Sequence, residues 1–182
     1  MSSQSLREMT QRFAGHGRVE AILLRPARLA PMVSVLEVVA EPGRGLIGDR
    51  RSLTLKTGDA AQKREVTLFQ AEHLPVLAGW VGAASLDPAR LRRNLIISGI
   101  NLLSMRSLFA DAPLQWQLGE TVILEVTGTC EPCSLMESEL GPGGYNAMRG
   151  HGGVTARVVV GGTLRVHDRV RLRTTEREPL HG

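Results

Sequence analysis

Cys130 and Cys133 are the only cysteines in the chain, and they form a single CxxC. One such pair excludes a disulfide framework, and in a cytosolic protein it points to redox, metal or catalytic chemistry. Cys133 comes just before a predicted helix, Ser134 to Leu140, whose unpaired first amides and dipole favour a thiolate over a thiol. A thiolate is both a nucleophile and a soft metal ligand. The competing reading is a small buried hydrophobe, the commonest fate of a free cysteine. Structural zinc needs about four ligands, and the five histidines, His16, His73, His151, His167 and His181, are scattered with no HxxxH pair. A thioredoxin-like CxxC follows a strand in a βαβ setting, which this sequence lacks. Cys133 acting as a single thiolate is therefore the favoured reading.

Two loops rich in glycine and arginine, Gly43 to Arg51 and Gly143 to Gly153, let backbone amides and guanidinium groups converge on an anion such as a pterin phosphate. Neither matches a Walker or dinucleotide fingerprint, and plain turn chemistry explains each one alone. Asp49, Arg50, Asn94, Ser98, Asn146 and Arg149 lie beside such turns or strand ends. Site residues often occupy these positions, and solvated residues occupy them more often. Arg50 is the first choice for a phosphate contact, because it follows a Gly-Asp turn and its charge cannot be titrated away.

The elements that must position these groups are mostly strands. Val19 to Leu24 and Val33 to Val39 are β-rich runs separated by Pro26 and Pro31, and Glu65 to Gln70 is a third. Ala71 to Ala78 is a short helix bent at Pro75. Asp87-Pro88 begins another that runs to Arg93, after which Asn94 to Ser98 is extended. Leu114 to Leu118 and Val122 to Thr127 make a hairpin about Gly119-Glu120. Val154 to Val160 and Thr163 to Val166 make a second about Gly161-Gly162, and Val170 to Leu172 is a last short strand. Many short strands without βαβ alternation predict a barrel or sandwich decorated by helices.

The 182 residues, 42% of them hydrophobic, suit one soluble domain, expected over 17–173 between tails at 1–16 and 174–182. No apolar run reaches membrane-spanning length and no secretory signal opens the chain, so a cytoplasmic protein without a membrane partner is expected. The net charge of +4 permits a nucleic-acid partner. The 3% aromatic content supplies little stacking surface, however, and nearly all the positive charge is arginine, with Lys56 and Lys63 the only lysines. Arginine serves a buried anionic ligand equally well. Nucleic acid is not expected.

The ordered series Gly48-Asp49-Arg50, Lys63-Arg64-Glu65-Val66-Thr67-Leu68, Leu91-Arg92-Arg93-Asn94 with Ser98 to Leu102, Cys130-Glu-Pro-Cys133 and Gly141 to Gly153 resembles the MOSC domain, the C-terminal domain of molybdenum cofactor sulfurases. The likeness is greatest to small stand-alone bacterial members and spans about Gly17 to Leu172. It implies a mostly β fold, a closed barrel of the MOSC and pyruvate-kinase type with a few short helices, that binds the molybdenum cofactor, molybdopterin, and uses no pyridoxal phosphate. Cys133 falls on the family's functional thiol and would be the catalytic residue and molybdenum ligand. Arg50, Asp49, Arg64, Asn94, Ser98, Asn146 and Arg149 are the candidate cofactor contacts. Relatives that reduce N-hydroxylated bases and amidoximes imply an oxidoreductase with a small-molecule substrate and a separate reductase as electron donor. Sulfurase relatives imply the alternative, a carrier of persulfide or cofactor without turnover of its own. Cys130 is not general in the family.

Overall fold

The computed structural model describes residues 5–54 and 63–173. The chain opens with α1 (Leu6–Met9), a single turn closed by a capping box between Ser5 and Glu8. It continues through β1 (Gly17–Leu24), β2 (Val33–Val35), β3 (Glu37–Glu41), β4 (Gly45–Leu46), β5 (Val66–Gln70), α2 (His73–Trp80), β6 (Leu95–Ser98), β7 (Gln115–Leu118) and β8 (Val122–Thr129). Two short helices follow, α3 (Leu135–Leu140) and α4 (Gly144–Met148), then β9 (Val154–Val160), β10 (Gly162–Arg165) and β11 (Arg169–Leu172). Among the described residues no helix is long and apolar enough to cross a membrane.

Seven strands run β11-β7-β8-β9-β5-β6-β1 and close when β1 pairs back onto β11, with Gly17 opposite Val170 and Arg18 opposite Arg169. Only β5 and β6 are parallel. Closure removes the exposed sheet edge that a short open sheet would carry. Every residue of β5 is buried because both of its faces are covered. Val66 and Leu68 point into the barrel beside Val19, Leu95, Ile97 and Trp116. Phe69 points outward with Ile96 and Leu23 and lies under α2, α3 and α4 through Leu77, Met136, Leu140 and Met148. The helices thus form an outer layer on one flank of the barrel. In the segment ahead of β1, Phe13 lies edge-on to Trp116 with ring centroids 4.7 Å apart, and Arg7 pairs with Asp111.

The segment Gly143 to Gly153, expected as a loop, contains the short helix α4, and two further sequence expectations change in the structure. Val33 to Val39 is not one strand: the chain breaks at Leu36, and β3 leaves the barrel for a separate three-stranded sheet, β10-β3-β4. Nor is Gly161-Gly162 a hairpin turn, because β9 pairs with β8 and β5 whereas β10 pairs with β3. A Cβ on Gly161 would lie 2.7 Å from the Ala40 carbonyl oxygen, and one on Gly162 only 2.0 Å from Thr121 Oγ1. The glycines are needed for close passage from one sheet to the other, not for reversal.

Candidate functional site

The outward faces of β1, β5 and β6 carry a buried polar knot where they meet the first glycine loop. Asp49 caps the 3-10 turn Arg50–Leu53, accepting from the Arg51 N–H at 2.9 Å. Its other oxygen accepts from the Arg25 N–H at 3.0 Å and from Asn94 Nδ2 at 3.1 Å. Asn94 also donates to the Leu23 carbonyl, while its oxygen accepts from the Thr67 N–H and hydroxyl. Both amide hydrogens and both acceptor positions of Asn94 are therefore spent inside the chain. Asp49 and Asn94 hold the loop in place.

Around that carboxylate stand Arg25, Arg50 and Arg51, with Arg92 beside Arg25 and Arg64 beside Arg51. Burial pushes the Arg25 guanidinium below its usual range; Asp49 works against this, and Arg50, Arg51 and Arg92 add to it. Burial does the same to Arg51, with Arg64 the next cause. Arginine stays protonated even so; Arg92 is also paired with Glu139 at 3.7 Å, so two carboxylates stand against five guanidinium groups and the cluster stays net positive. Arg25 Nε and Arg92 Nε are buried with no hydrogen-bond partner.

The thiols lie at this end of the flank. Cys130 is buried, its Sγ 3.8 Å from Arg64 Nη2 and its N–H donating to the Gly153 carbonyl at 2.9 Å. Cys133 is exposed. Its carbonyl accepts from the Met136 N–H, and the helix it precedes has six residues with no side-chain cap from Ser134. Between the thiols and the barrel lies the buried Arg93. Its Nε donates to the Gly152 carbonyl at 2.7 Å and one terminal nitrogen to Leu91 at 2.9 Å. The other terminal nitrogen is shared between the carbonyls of Cys130 at 3.5 Å and Glu131 at 3.4 Å. One guanidinium thereby fixes the thiol loop, the second glycine loop and the turn ahead of β6. Gly152 is part of this closeness: a Cβ there would lie 1.9 Å from the Cys130 carbonyl oxygen.

The structure thus gathers Asp49, Arg50, Arg64 and Asn94 at one end of the outer flank with Cys130. Ser98 lies at the other end of β6, roughly 13 Å along the strand from Asn94 at about 3.3 Å per residue, where its hydroxyl meets Glu20. Asn146 and Arg149 are exposed on α4 and just beyond it. That helix is tied back by Glu137, whose carboxylate accepts from the Gly143 and Tyr145 N–H groups. These two donors, Tyr145 foremost, hold the carboxyl below the usual carboxylate range. The sequence reading did not single out Arg25, Arg51, Arg92 or Arg93. Arg51, Arg92 and Arg93 stood inside segments it quoted, while nothing local marks Arg25. Among the described residues no group of three or more His, Cys, Asp or Glu side chains is placed to hold a metal ion, and both cysteines are free thiols.

The fold and site define a class of small closed β-barrel with an arginine-lined thiol loop under a helical layer. The family model for the MOSC domain matches residues 48–171, and the chain belongs to that family, which is associated with molybdenum cofactor binding. No curated protein matches in sequence. Among solved structures, the YuaD protein of Bacillus subtilis is similar with a TM-score of 0.70 at 18% identity, covering 86% of this chain and 94% of that one. YiiM from Geobacillus stearothermophilus has a TM-score of 0.63 at 15% identity, covering 87% of this chain and 75% of that one. YiiM from Escherichia coli has a TM-score of 0.62 at 16% identity, with 86% and 70% covered. At these identities the structures establish the shared fold.

Proposed function

We infer that this protein binds a molybdenum cofactor with Cys133 as the protein's metal ligand, and that it reduces an N-hydroxylated small molecule with electrons from a separate reductase. The observation that carries the reading is the gathering of Arg25, Arg50 and Arg51 about the buried Asp49 carboxylate, with Arg92 and Arg64 next to them, beside a CxxC loop, in a chain of the MOSC family. The donor set fits the group. A pterin phosphate needs cationic donors, and two buried guanidinium nitrogens here lack partners. Thiolate ligation of a high-valent metal needs an accessible, deprotonated sulfur, and Cys133 is exposed.

The residues then divide the work. Arg50 and Arg64, on the exposed side of the cluster, contact the anion, while Asp49 and Asn94 keep the loop from relaxing away from it. Arg93 holds the thiol loop against the barrel so that Cys133 is presented in one place. When bound, the cofactor supplies the two-electron and oxygen-atom chemistry. The net reaction takes two electrons and two protons, cleaves the N–O bond and releases water.

Expression in a host that makes molybdopterin should yield protein with stoichiometric molybdenum and pterin. With a reductant, that protein should convert an N-hydroxylated base to the base. Loss of pterin in Arg50→Ala and of molybdenum in Cys133→Ser is expected, and retention of both in both variants would refute the assignment. Cys130, a second thiol three positions away beside Arg64, favours a second reading in which the pair carries sulfur. Labile sulfur on the purified protein without molybdenum or turnover would select it.

A further inference from the structure

A cleft of about 750 Å³ lies between the strand pair β8 and β9 and the segment that leads from Met105 into β7, and nothing described so far uses it. Its size falls within the roughly 300–1,000 Å³ typical of small-molecule sites. The segment 106–113 is held in shape from within and from outside. The Ser107 hydroxyl lies 2.7 Å from the Ala112 carbonyl and 2.9 Å from that of Phe109, and it accepts from the Phe109 N–H at 3.0 Å. From α1, Arg7 pairs with Asp111 at 3.1 Å and sits 4.2 Å over the Phe109 ring. This wall is therefore built before any ligand arrives, and it brings Leu108, 70% exposed, to the cleft.

The facing wall belongs to the barrel. Glu125 of β8 and Arg157 of β9 are register partners and pair at 3.0 Å. Thr127 lies two positions on, hence on the same face of β8, and its hydroxyl bonds to the Lys63 carbonyl, which fixes the backbone of that lysine beside the strands. Three cationic residues, Lys63, Arg106 and Arg157, thus line the cleft against one acid, and that acid is spent on Arg157. Lys63 and Arg106 are exposed, and among the described residues neither makes an ion pair. The floor between them is apolar, with Leu114 and Val126 buried. An inorganic anion would leave that floor wet, and a neutral hydrophobe would leave the two cations unanswered. A molecule that joins one anionic head to an apolar body uses both.

We propose that this cleft binds a small apolar carboxylate of the aryl or medium-chain acyl class, its head between Arg106 and Lys63 and its body on Leu108, Leu114 and Val126. The site shares no lining residue with the arginine cluster about Asp49, although Lys63 directly precedes Arg64. It needs neither a metal nor a thiol, so it stands apart from the cofactor reading.

2-Naphthoate is the probe, 2-naphthamide supplies the same body without charge, and acetate supplies the head without a body. By calorimetry on the full chain 2-naphthoate should bind one to one, at least about tenfold more tightly than either control. Because both cations are exposed, Arg106→Gln and Lys63→Gln should fold, and each should weaken 2-naphthoate at least about fivefold. Leu108→Asp puts a second carboxylate at the cleft and should abolish binding. Amide shifts on the wild-type protein give a readout that needs no variant to fold, and they should cluster at Lys63, Arg106, Leu108 and Thr127. Inorganic phosphate at matched ionic strength, which suits the Asp49 cluster, should leave 2-naphthoate in place. No binding at millimolar 2-naphthoate, equal affinity for 2-naphthamide, or affinity unchanged in folded Arg106→Gln and Lys63→Gln would overturn the proposal. Shifts centred on Arg50 and Arg51, or full displacement by phosphate, would do so too, by moving the anion to the arginine cluster.

Discussion

Replacing Asp49 with alanine tests whether the arginine cluster is built around that carboxylate. Three donors point at it, the N–H groups of Arg25 and Arg51 and the Asn94 amide, at 3.0, 2.9 and 3.1 Å. Hydrogen bonds to an ionised group contribute about 1.5–3 kcal/mol each, and a buried donor left bare costs about 1–3 kcal/mol. The Arg25 and Arg51 N–H groups are only part-buried and can recruit water in part, so the buried Asn94 amide carries the largest share of the loss. The expected cost is about 3–5 kcal/mol, a large share of the roughly 5–15 kcal/mol that holds a domain of this kind together. Asp49→Asn keeps one accepting oxygen and should cost about 1–3 kcal/mol. Urea titration measures both. Removal of Asp49 also leaves Arg25, Arg50 and Arg51 without their carboxylate, so phosphate should raise the alanine variant's midpoint more than the wild type's. A loss under about 1 kcal/mol at unchanged m-value, or equal phosphate stabilisation of the two proteins, would refute the reasoning.

Lysine at Arg93 offers a point charge in place of a planar fork and cannot reach four carbonyls. Arg93→Lys should therefore speed iodoacetamide labelling of Cys130 several-fold while the circular dichroism stays that of a β-barrel; an unchanged rate would count against the clamp. Gly152→Ala forces a methyl group onto the Cys130 carbonyl and should cost about 1–3 kcal/mol, whereas Gly79→Ala, with nothing within 4 Å, should cost almost nothing by thermal melt. Because burial first, and His151 second, hold the His73 pKa of the folded protein below the ordinary value near 6.5, the unfolded chain takes up that proton first. The stability linked to His73 is complete above about pH 6.5 and falls as pH drops through 6.5 toward the folded value; His73→Gln should flatten that slope in urea melts taken from pH 7.5 to 5. Exposed Cys133→Ser should leave stability within about 0.5 kcal/mol of wild type, and a large loss would mean that the thiol packs in the fold.

The barrel could be read from the sequence because most of its strands declare themselves locally. The Gly119-Glu120 turn between two β-rich runs gives β7 and β8, and Asp87-Pro88 does start a helical turn, with the Asp87 side chain accepting from the Ala89 N–H. Gly161-Gly162 misled because glycine serves a tight turn and a close crossing equally well, and only the positions of Ala40 and Thr121 decide between them. The thiol pair and the first loop were visible as composition. What joins them was not: Arg93 reaches Gly152 across 59 positions and Asn94 reaches Asp49 across 45. Asn94 and Ser98 looked equivalent at the two ends of one extended run, yet a strand of that length carries its ends to different regions of the surface.

The pairing of β1 with β11 also has a consequence for synthesis. Since β1 lies near the start of the described chain and β11 at its end, the barrel cannot be sealed until β11 has been translated and has emerged. Until β11 leaves the ribosome, β1 lacks the Val170 and Arg169 contacts and β7 has no partner beyond β8. A nascent chain in that state presents unpaired strand edges. Ribosomes stalled before Arg169 should therefore carry chains that protease cleaves and chaperones retain, and release of the last strand should end both together.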